Sequence, residues 1–367
     1  MKKINFLNLA VKSRHDLQQY LKIFRNFLKK GVFVLGEGVD SFEKKFSKYN
    51  NKKFSIGVSS GTNALYLALK TLGVSKGDEV IVPCMSWYST FTAVTMLGGI
   101  PIGVDIGNDL QLDQEKVLGS ITNKTKAIIY VHFTGLSKSL KNLKKICNKK
   151  KIFLVEDCAQ SFGATTKGIK VGHYSDIASY SMNPMKVFGA IGDAGMISTN
   201  KRNLFNTAKV LRYAGVDMQK DDCKYPDLNN KIDTLQALIL NHKLPRLKKV
   251  IKQRIANAKI YNRYLTSDRI IKPVFKDNFE HIYYTYVIRV KKRDQLMKFL
   301  QKKNVETKVQ HKKTIYEHSG LRKYNIYKSK FKKADLLKKE ILCLPVHENL
   351  SRTEILIVCK LINSFKF

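Results

Sequence analysis

The chain contains 367 residues, of which 44% are hydrophobic, so it is long enough to bury a sizeable core in two domains. No run reaches the ~18 to 20 apolar residues that a transmembrane helix needs, which excludes a membrane span. The formal net charge is +38, a value typical of proteins that bind nucleic acid or anionic membranes. Because lysines are spread through nearly every predicted helix and loop, we attribute the charge to a general lysine bias and expect no specific nucleic-acid partner.

The N-terminal residues and the cysteines indicate a cytoplasmic protein. The first apolar stretch faintly resembles a signal peptide, but it contains Asn5 and Asn8 and ends at Lys12. The six cysteines form no C-x-x-C pair and show no metal-ligand spacing with histidine. We therefore predict a cytoplasmic location, reduced and mostly buried thiols, and no metal site.

Short apolar runs alternate with helical patterns in the first half of the chain. Candidate buried strands, each flanked by turn or polar residues, lie at residues 80–82, 127–131 and 152–155. A helix with one buried face is predicted after Gly61 from the spacing of its apolar residues, which are Leu65, Ala68, Leu69 and Leu72. This alternation predicts an α/β fold with a mostly parallel central sheet flanked by helices.

The last third of the chain has a different pattern. A long basic helical pattern at 243–265 links the first part to the remainder. Further elements are expected as a strand at 284–290 and helices at 294–303 and 353–365. These elements predict a small α+β unit, so we expect a large domain at residues 1–245, which includes the N-terminal segment, and a small domain at 246–367.

An aspartate and a lysine stand out near the middle of the chain. Asp157 follows the strand predicted at 152–155, where open α/β sheets present ligand-binding groups, and Lys186 lies between Pro184 and a run of glycines. The chemistry of pyridoxal 5′-phosphate (PLP) needs a lysine amine to hold the aldehyde and an acid near the pyridine nitrogen to keep the ring an electron sink. Alone, Asp157 could be a helix N-cap and a lysine would carry no information in so lysine-rich a chain. The pairing predicts both as catalytic, with Lys186 as anchor and general base.

Other residues could hold the phosphate and the ring of this cofactor. Gly61 and Thr62 begin a predicted helix, whose N–H groups and dipole favour an anion, and Ser181 could add a hydroxyl. Trp87, the one tryptophan, could stack on the ring. Taken alone, a Ser-Gly-Thr sequence is more commonly an N-cap and a lone tryptophan more commonly packs in a core.

The motifs together resemble the DegT/DnrJ/EryC1/StrS sugar aminotransferases, a branch of the aspartate aminotransferase superfamily. The similar segments cover nearly the whole chain and lie at 31–36, 42–43, 155–163, 181–186, 189–195 and 342–345. The resemblance implies the PLP-dependent transferase fold type I, with a large PLP-binding domain and a small C-terminal α+β domain. It also implies PLP as the cofactor and a homodimer with active sites shared at the interface.

The resemblance assigns roles to individual residues. It implies that Gly61, Thr62 and Ser181 hold the phosphate, that Trp87 stacks on the ring and that Gln160 lies close to the ring oxygen. Asn229 is the candidate that reaches the phosphate of the neighbouring subunit. Two departures from the family lie near the substrate: Val187 stands where asparagine is usual, and a histidine- and proline-rich segment is represented by 311–318, with His311 and His318 as candidate substrate-binding residues.

The function implied by the resemblance is transamination. Glutamate would supply the amino group, and a keto sugar linked to a nucleotide diphosphate would receive it, with dTDP-linked 3-keto-6-deoxyhexoses favoured. Amination at C4, or of a smaller keto substrate, stays open. A dehydratase is disfavoured because such relatives replace the lysine with histidine, and Lys186 with Asp157 also disfavours a non-catalytic PLP-binding or nucleic-acid-binding regulator.

Overall fold

The computed structural model describes residues 2–274, 280–324 and 331–366. Its strands are β1 (Phe54–Val58), β2 (Glu79–Pro83), β3 (Ile100–Val104), β4 (Thr125–Val131), β5 (Phe153–Asp157), β6 (Thr165–Thr166), β7 (Ile169–Lys170), β8 (Ile177–Ser181), β9 (Gly195–Thr199), β10 (Val216–Asp217), β11 (Asp222–Cys223), β12 (Tyr286–Arg289) and β13 (Ile341–Leu344). Seven of them form the central sheet, in the order β1-β9-β8-β5-β4-β2-β3. The neighbours from β3 to β8 are parallel, whereas β9 is antiparallel to β8 and β1.

Helices cover both faces of this sheet. The α-helices are α1 (Arg14–Lys30), α2 (Glu37–Asn50), α3 (Gly61–Thr71), α4 (Ser89–Thr95), α5 (Gln114–Val117), α6 (Lys141–Lys150), α7 (Arg202–Arg212), α8 (Thr234–Lys243), α9 (Leu247–Tyr264), α10 (Arg293–Lys302), α11 (Lys332–Glu340) and α12 (Arg352–Asn363). Successive residues of β2 enter different cores, because side chains alternate across a strand. Val80 and Val82 belong to the same buried cluster as residues of α3 and α7, whereas Ile81 belongs to a cluster that contains Leu143 of α6.

The C-terminal elements form a smaller α+β layer. Strand β12 pairs antiparallel with β13, and α12 packs on α9. Ser351 begins α12 with a capping box, in which its hydroxyl accepts from the Glu354 N–H and the Glu354 carboxylate accepts from the Ser351 N–H. The predicted fold class is confirmed, and the division between residues 245 and 246 stays a prediction.

Two predicted elements begin at least two residues later than expected. The helix expected at 243–265 begins only at Leu247, since residues Leu244–Arg246 form a 3₁₀ turn around Pro245, which has no N–H to continue a helix. The strand expected at 284–290 begins only at Tyr286. Tyr283 has a φ of 49°, a left-handed conformation that an extended strand does not accommodate. Within the described ranges, no helix is both long and apolar enough to cross a membrane.

Candidate active site

The carboxyl ends of the central parallel strands open into a cavity of about 380 Å³. Asp157 is the last residue of β5, and Ser181 is the last residue of β8. Seven of the residues predicted from the sequence line this cavity, namely Gly61, Thr62, Trp87, Asp157, Gln160, Ser181 and Lys186. The fold therefore brings together segments that are up to 125 residues apart in the chain.

The N-terminus of α3 is fitted closely against Ser181. A Cβ added to Gly61 would lie 2.4 Å from the Ser181 Cβ and 2.8 Å from its Oγ, so a glycine is required here. Ser60 caps the helix by accepting a hydrogen bond from the Asn63 N–H, and the Thr62 hydroxyl lies 2.6 Å from that of Ser89. Backbone N–H groups of the first helical turn and nearby hydroxyls therefore offer the donors that a phosphate group needs.

Asp157 is a buried carboxylate with an incomplete set of partners. Its Oδ1 accepts a hydrogen bond from the Ala159 N–H at 3.0 Å, and among the described residues no donor contacts its Oδ2. Burial raises the pKa of Asp157, against the opposing effects of that hydrogen bond and of the Lys186 charge. A protonated pyridine nitrogen would supply the missing cationic donor, so this site fits the ring of PLP.

A second buried acid supports the strand that carries Asp157. Glu156 accepts hydrogen bonds at Oε2 from His132 and the Gly172 N–H, and at Oε1 from the Ser175 N–H. Burial acts to raise the pKa of Glu156, but these bonds outweigh it and hold the pKa below its usual range. Cys158 Sγ lies within 4.8 Å of the His132 and Glu156 ligand atoms. We interpret the group as a structural support, because N–H donors already occupy both Glu156 oxygens.

Lys186 lies on a short braced loop beside an aromatic ring. The Lys186 backbone N–H donates to the Asn183 carbonyl oxygen, and the Asn183 side chain donates to Asp193 at 2.7 Å. The Lys186 Nζ lies 4.8 Å from the centre of the Tyr284 ring. The sequence motifs did not indicate Tyr284, although the alternating pattern predicted at 284–290 starts at this residue.

Arg254 holds the backbone beside that ring. It is buried, pairs with Glu348 at 2.9 Å, and donates from Nη1 to the carbonyl oxygens of Tyr283 and Tyr284. Sequence reasoning missed this arginine, since its partners lie about 30 and 94 residues further along the chain. The contact fixes the segment that presents Tyr284 to Lys186.

Gln160 and Trp87 both line the cavity. Gln160 Oε1 accepts a hydrogen bond from the Thr134 N–H at 2.8 Å, which orients its amide nitrogen as a donor. Trp87 is 55% exposed, so it is not a core residue of the described chain. Its ring lies 4.9 Å from that of Tyr88 and 6.5 Å from that of His311.

Three predicted residues do not line this cavity, namely His311, His318 and Asn229. His311 is buried against Phe133, and burial, aided by the charges of Lys186 and His318, lowers its pKa to about 3, so its imidazole is neutral at physiological pH. His318 contacts the Tyr88 ring at 4.9 Å. Asn229 is exposed beside the short β10-β11 hairpin, consistent with a role toward another subunit. All three roles stay predictions.

A second cavity of about 700 Å³ adjoins the first. The two cavities share Leu7, Met185 and Lys186 as lining residues. The cations of the second cavity are Lys12, Lys186, Lys243, Arg246, Lys249 and Arg254, whereas its acids are Asp16 and Glu348. We refer to it as the basic cavity. The sequence did not reveal it, because the extreme lysine content hides any local cluster.

Comparison with known proteins identifies the chain. The model of the DegT/DnrJ/EryC1/StrS aminotransferase family matches residues 15–363. The chain belongs to this family. A relative from Micromonospora megalomicea subsp. nigra, dTDP-3-amino-3,4,6-trideoxy-alpha-D-glucose transaminase, is 32% identical over 87% of this chain and 87% of its own length. Another from Aneurinibacillus thermoaerophilus, dTDP-3-amino-3,6-dideoxy-alpha-D-galactopyranose transaminase, is 31% identical over 99% of this chain and 100% of its own length.

Solved structures agree with this membership and with the cofactor. The crystal structure of NtdA from Bacillus subtilis with bound cofactor PMP, the amine form of PLP, has a TM-score of 0.91 and 28% identity. The structural match covers 98% of this chain and 86% of the NtdA chain. The protein is thus a PLP-dependent aminotransferase of the DegT/DnrJ/EryC1/StrS family, and the predictions of family, activity and cofactor are confirmed.

Proposed function

We propose that this aminotransferase moves an amino group from L-glutamate to a keto sugar linked to a nucleoside diphosphate. We favour a dTDP-linked 3-keto-6-deoxyhexose, because both relatives described above are named as transaminases of dTDP-3-amino sugars. The observation that carries the proposal for this chain is the basic cavity beside Lys186. The product would be an amino sugar that remains attached to its nucleotide.

The basic cavity suits the nucleotide part of such a substrate. Its volume of about 700 Å³ falls in the usual range for small-molecule sites. Arg246 pairs with Asp16, and Arg254 pairs with Glu348, which leaves lysine charges without an acidic partner among the described lining residues. A diphosphate carries negative charge that these lysines would neutralise. Because Lys186 lines both cavities, the sugar of a nucleotide bound in the basic cavity would reach the catalytic cavity.

The proposed residue roles follow from the geometry of the catalytic cavity. PLP, when bound, supplies an electron sink for charge that develops at the α-carbon of the amino donor. The α3 N–H groups and Ser181 would bind its phosphate, and Asp157 would hold the proton on its pyridine nitrogen. Lys186 Nζ would take the proton from the donor α-carbon as general base.

A homodimer is the second part of the proposal. Helix α1 has no buried residue, yet apolar side chains recur along one face at Leu17, Leu21, Phe24 and Leu28, and all four are at least 45% exposed. Val32, Phe33 and Val34 extend this exposed apolar surface. A second copy of the chain would cover it and would bring its own Asn229 toward the cofactor phosphate.

The cytoplasmic location also stays a prediction.

The test begins with an absorbance spectrum of the protein with PLP during titration by L-glutamate. We expect a band at ~420 nm to be replaced by one at ~330 nm as the amino group is transferred. The Lys186→Ala variant should lack the first band and all turnover, whereas Lys209→Ala, which alters an exposed lysine of α7, should behave as the wild type. Retained turnover in Lys186→Ala would overturn the catalytic assignment.

The acceptor is tested in a second step with the amine-form enzyme. A dTDP-linked 3-keto sugar should return the absorbance to ~420 nm faster than its 4-keto isomer or a keto sugar phosphate without nucleotide. Lys249 lines the basic cavity, whereas the exposed Lys248 does not. Inhibition by dTDP should therefore weaken in Lys249→Gln and stay unchanged in Lys248→Gln. Equal rates with all three acceptors would argue against nucleotide recognition.

A further inference from the structure

The catalytic cavity contains a cation that the roles assigned above do not use. Its charged lining residues, among those described, are Asp157, Lys186, Asp193 and Lys308. Asp157 and Lys186 are assigned to the cofactor, and Asp193 accepts a hydrogen bond from Asn183. Lys308 is therefore the charge that remains for a substrate.

The backbone fixes the position of Lys308 on the cavity wall. Its N–H donates to the Cys343 carbonyl oxygen at 3.1 Å, and the Cys343 N–H donates to the Lys308 carbonyl oxygen at 2.8 Å. These two bonds tie Lys308 to β13. Its Nζ lies 5.1 Å from the centre of the Phe6 ring, so the side chain follows another lining residue.

No carboxylate of the described residues lies within ion-pair distance of Lys308. Glu306, two residues earlier, pairs with Lys3 at 2.5 Å and accepts a hydrogen bond from the Phe6 N–H. Its pKa is lowered first by these two contacts and only weakly by Lys308. The ammonium group of Lys308 is thus available for an anion from outside the chain.

The position of Lys308 favours the amino donor over the acceptor. Lys308 lines the catalytic cavity and not the basic cavity, whereas Lys243 and Lys249 line the basic cavity and not the catalytic one. An acceptor whose diphosphate occupies the basic cavity therefore makes no demand on Lys308. The amino donor must place its α-carbon at Lys186, inside the catalytic cavity.

We propose that Lys308 binds the side-chain carboxylate of the amino donor and thereby selects glutamate over glutamine. This inference rests on the proposed function. Glutamate and glutamine present the same α-carbon to Lys186 and differ at the far end, where one carries a carboxylate and the other a neutral amide. Lys308 is exposed, so it suits the far end of the donor. An ammonium group binds a carboxylate more strongly than an amide oxygen.

The experiment measures the donor half-reaction of the PLP-loaded enzyme by stopped-flow absorbance. Second-order rate constants are determined for L-glutamate and L-glutamine in the wild type, Lys308→Gln and Lys308→Arg. Lys308→Gln should lose about tenfold with glutamate, as expected for a hydrogen bond to a charged group, and change less than about twofold with glutamine. Lys308→Arg should keep most of the preference for glutamate.

The matched control is Lys303→Gln, which removes the same charge at the exposed end of α10 and outside both cavities. It should leave both rate constants unchanged. An equal loss with both donors in Lys308→Gln would overturn the inference, because a packing defect or a contact to the α-carboxylate would affect both. The inference would also be overturned if the ratio of the glutamate rate constant to the glutamine rate constant were the same in Lys308→Gln as in the wild type. A wild type that reacts with neither donor would instead contradict the proposed function, and this inference with it.

Discussion

The Lys186 ammonium group lies 4.8 Å from the centre of the Tyr284 ring, within the range of a cation–π interaction. The contact is held from two sides, by the braced loop that carries Lys186 and by the Arg254 bonds to the backbone of Tyr283 and Tyr284. It joins the loop that carries Lys186, which follows β8 of the central sheet, to the segment before β12 of the C-terminal layer. We therefore propose that Tyr284 positions Lys186.

Replacing the Tyr284 ring should impair transamination without preventing cofactor binding. Tyr284→Phe keeps the π face and should retain kcat within about twofold. Tyr284→Leu removes it, and loss of a contact that contributes ~0.5–1 kcal/mol should lower kcat about two- to fivefold while KM for glutamate changes little. Steady-state kinetics of both variants would distinguish the ring from the hydroxyl. Equal losses in the two variants would show that the hydroxyl, not the ring, is the important group.

Gly61→Ala should weaken cofactor binding because the new Cβ would collide with Ser181. The helix N-terminus would have to shift away from the phosphate site, so we expect the Kd for PLP to rise about tenfold or more. The double variant Gly61→Ala with Ser181→Gly removes the closest atoms and should recover part of this loss relative to Gly61→Ala alone. Fluorescence titration with PLP would measure both, and a Gly61→Ala protein with unchanged affinity would contradict the close fit.

Asp157→Asn should stabilise the cofactor-free protein and weaken the holoenzyme. Burial raises the pKa of Asp157 above its unfolded value, so its ionisation costs stability as pH rises through that unfolded value, and the cost is fully present above the folded pKa. A neutral amide avoids this ionisation penalty. The melting temperature of the cofactor-free variant should therefore exceed that of the wild type near neutral pH, and the difference should shrink in acid.

With PLP bound, the melting temperature of Asp157→Asn should instead fall below that of the wild type. Asparagine carries no negative charge to pair with the protonated pyridine nitrogen. We expect kcat to fall by about 10² to 10⁴. Thermal melting with and without PLP, together with steady-state rates, would check both parts. A variant with wild-type rates would show that Asp157 does not contact the ring nitrogen.

Charges on the exposed face of α1 should dissociate the proposed dimer. Leu21→Glu with Phe24→Glu places two charges on the apolar stripe, whereas Asn26→Glu changes a residue on the opposite face of the same helix. Light scattering should give a dimer mass for the wild type and Asn26→Glu and a monomer mass for the double variant. The monomer should also bind PLP more weakly, because it lacks Asn229 of a second copy. A wild type of monomer mass would contradict the dimer.

Local sequence was sufficient to single out Asp157 and Lys186, which the structure places in one cavity, and to predict the strand that ends at Asp157. Asp157 ends a buried apolar run, and Lys186 lies between a proline and a run of glycines, so each is recognised within about ten residues of its own position. The helix after Gly61 was likewise predicted from local sequence, because its apolar residues recur with the 3.6-residue period of a helix. Where a local feature interrupted a pattern, as Pro245 does in the helix predicted at 243–265, the predicted start was displaced by four residues.

Sequence by itself thus determined the family, the cofactor and the chemistry, because these depend on motifs whose residues are close in the chain. Only the tertiary structure decided that Tyr284 faces Lys186, that Gly61 meets Ser181, and that lysines from three separate segments surround one basic cavity. Such relationships join residues about 50 to 240 positions apart. Lysine is so frequent in this chain that composition carries no information about position, and packing alone selects the few that line a cavity.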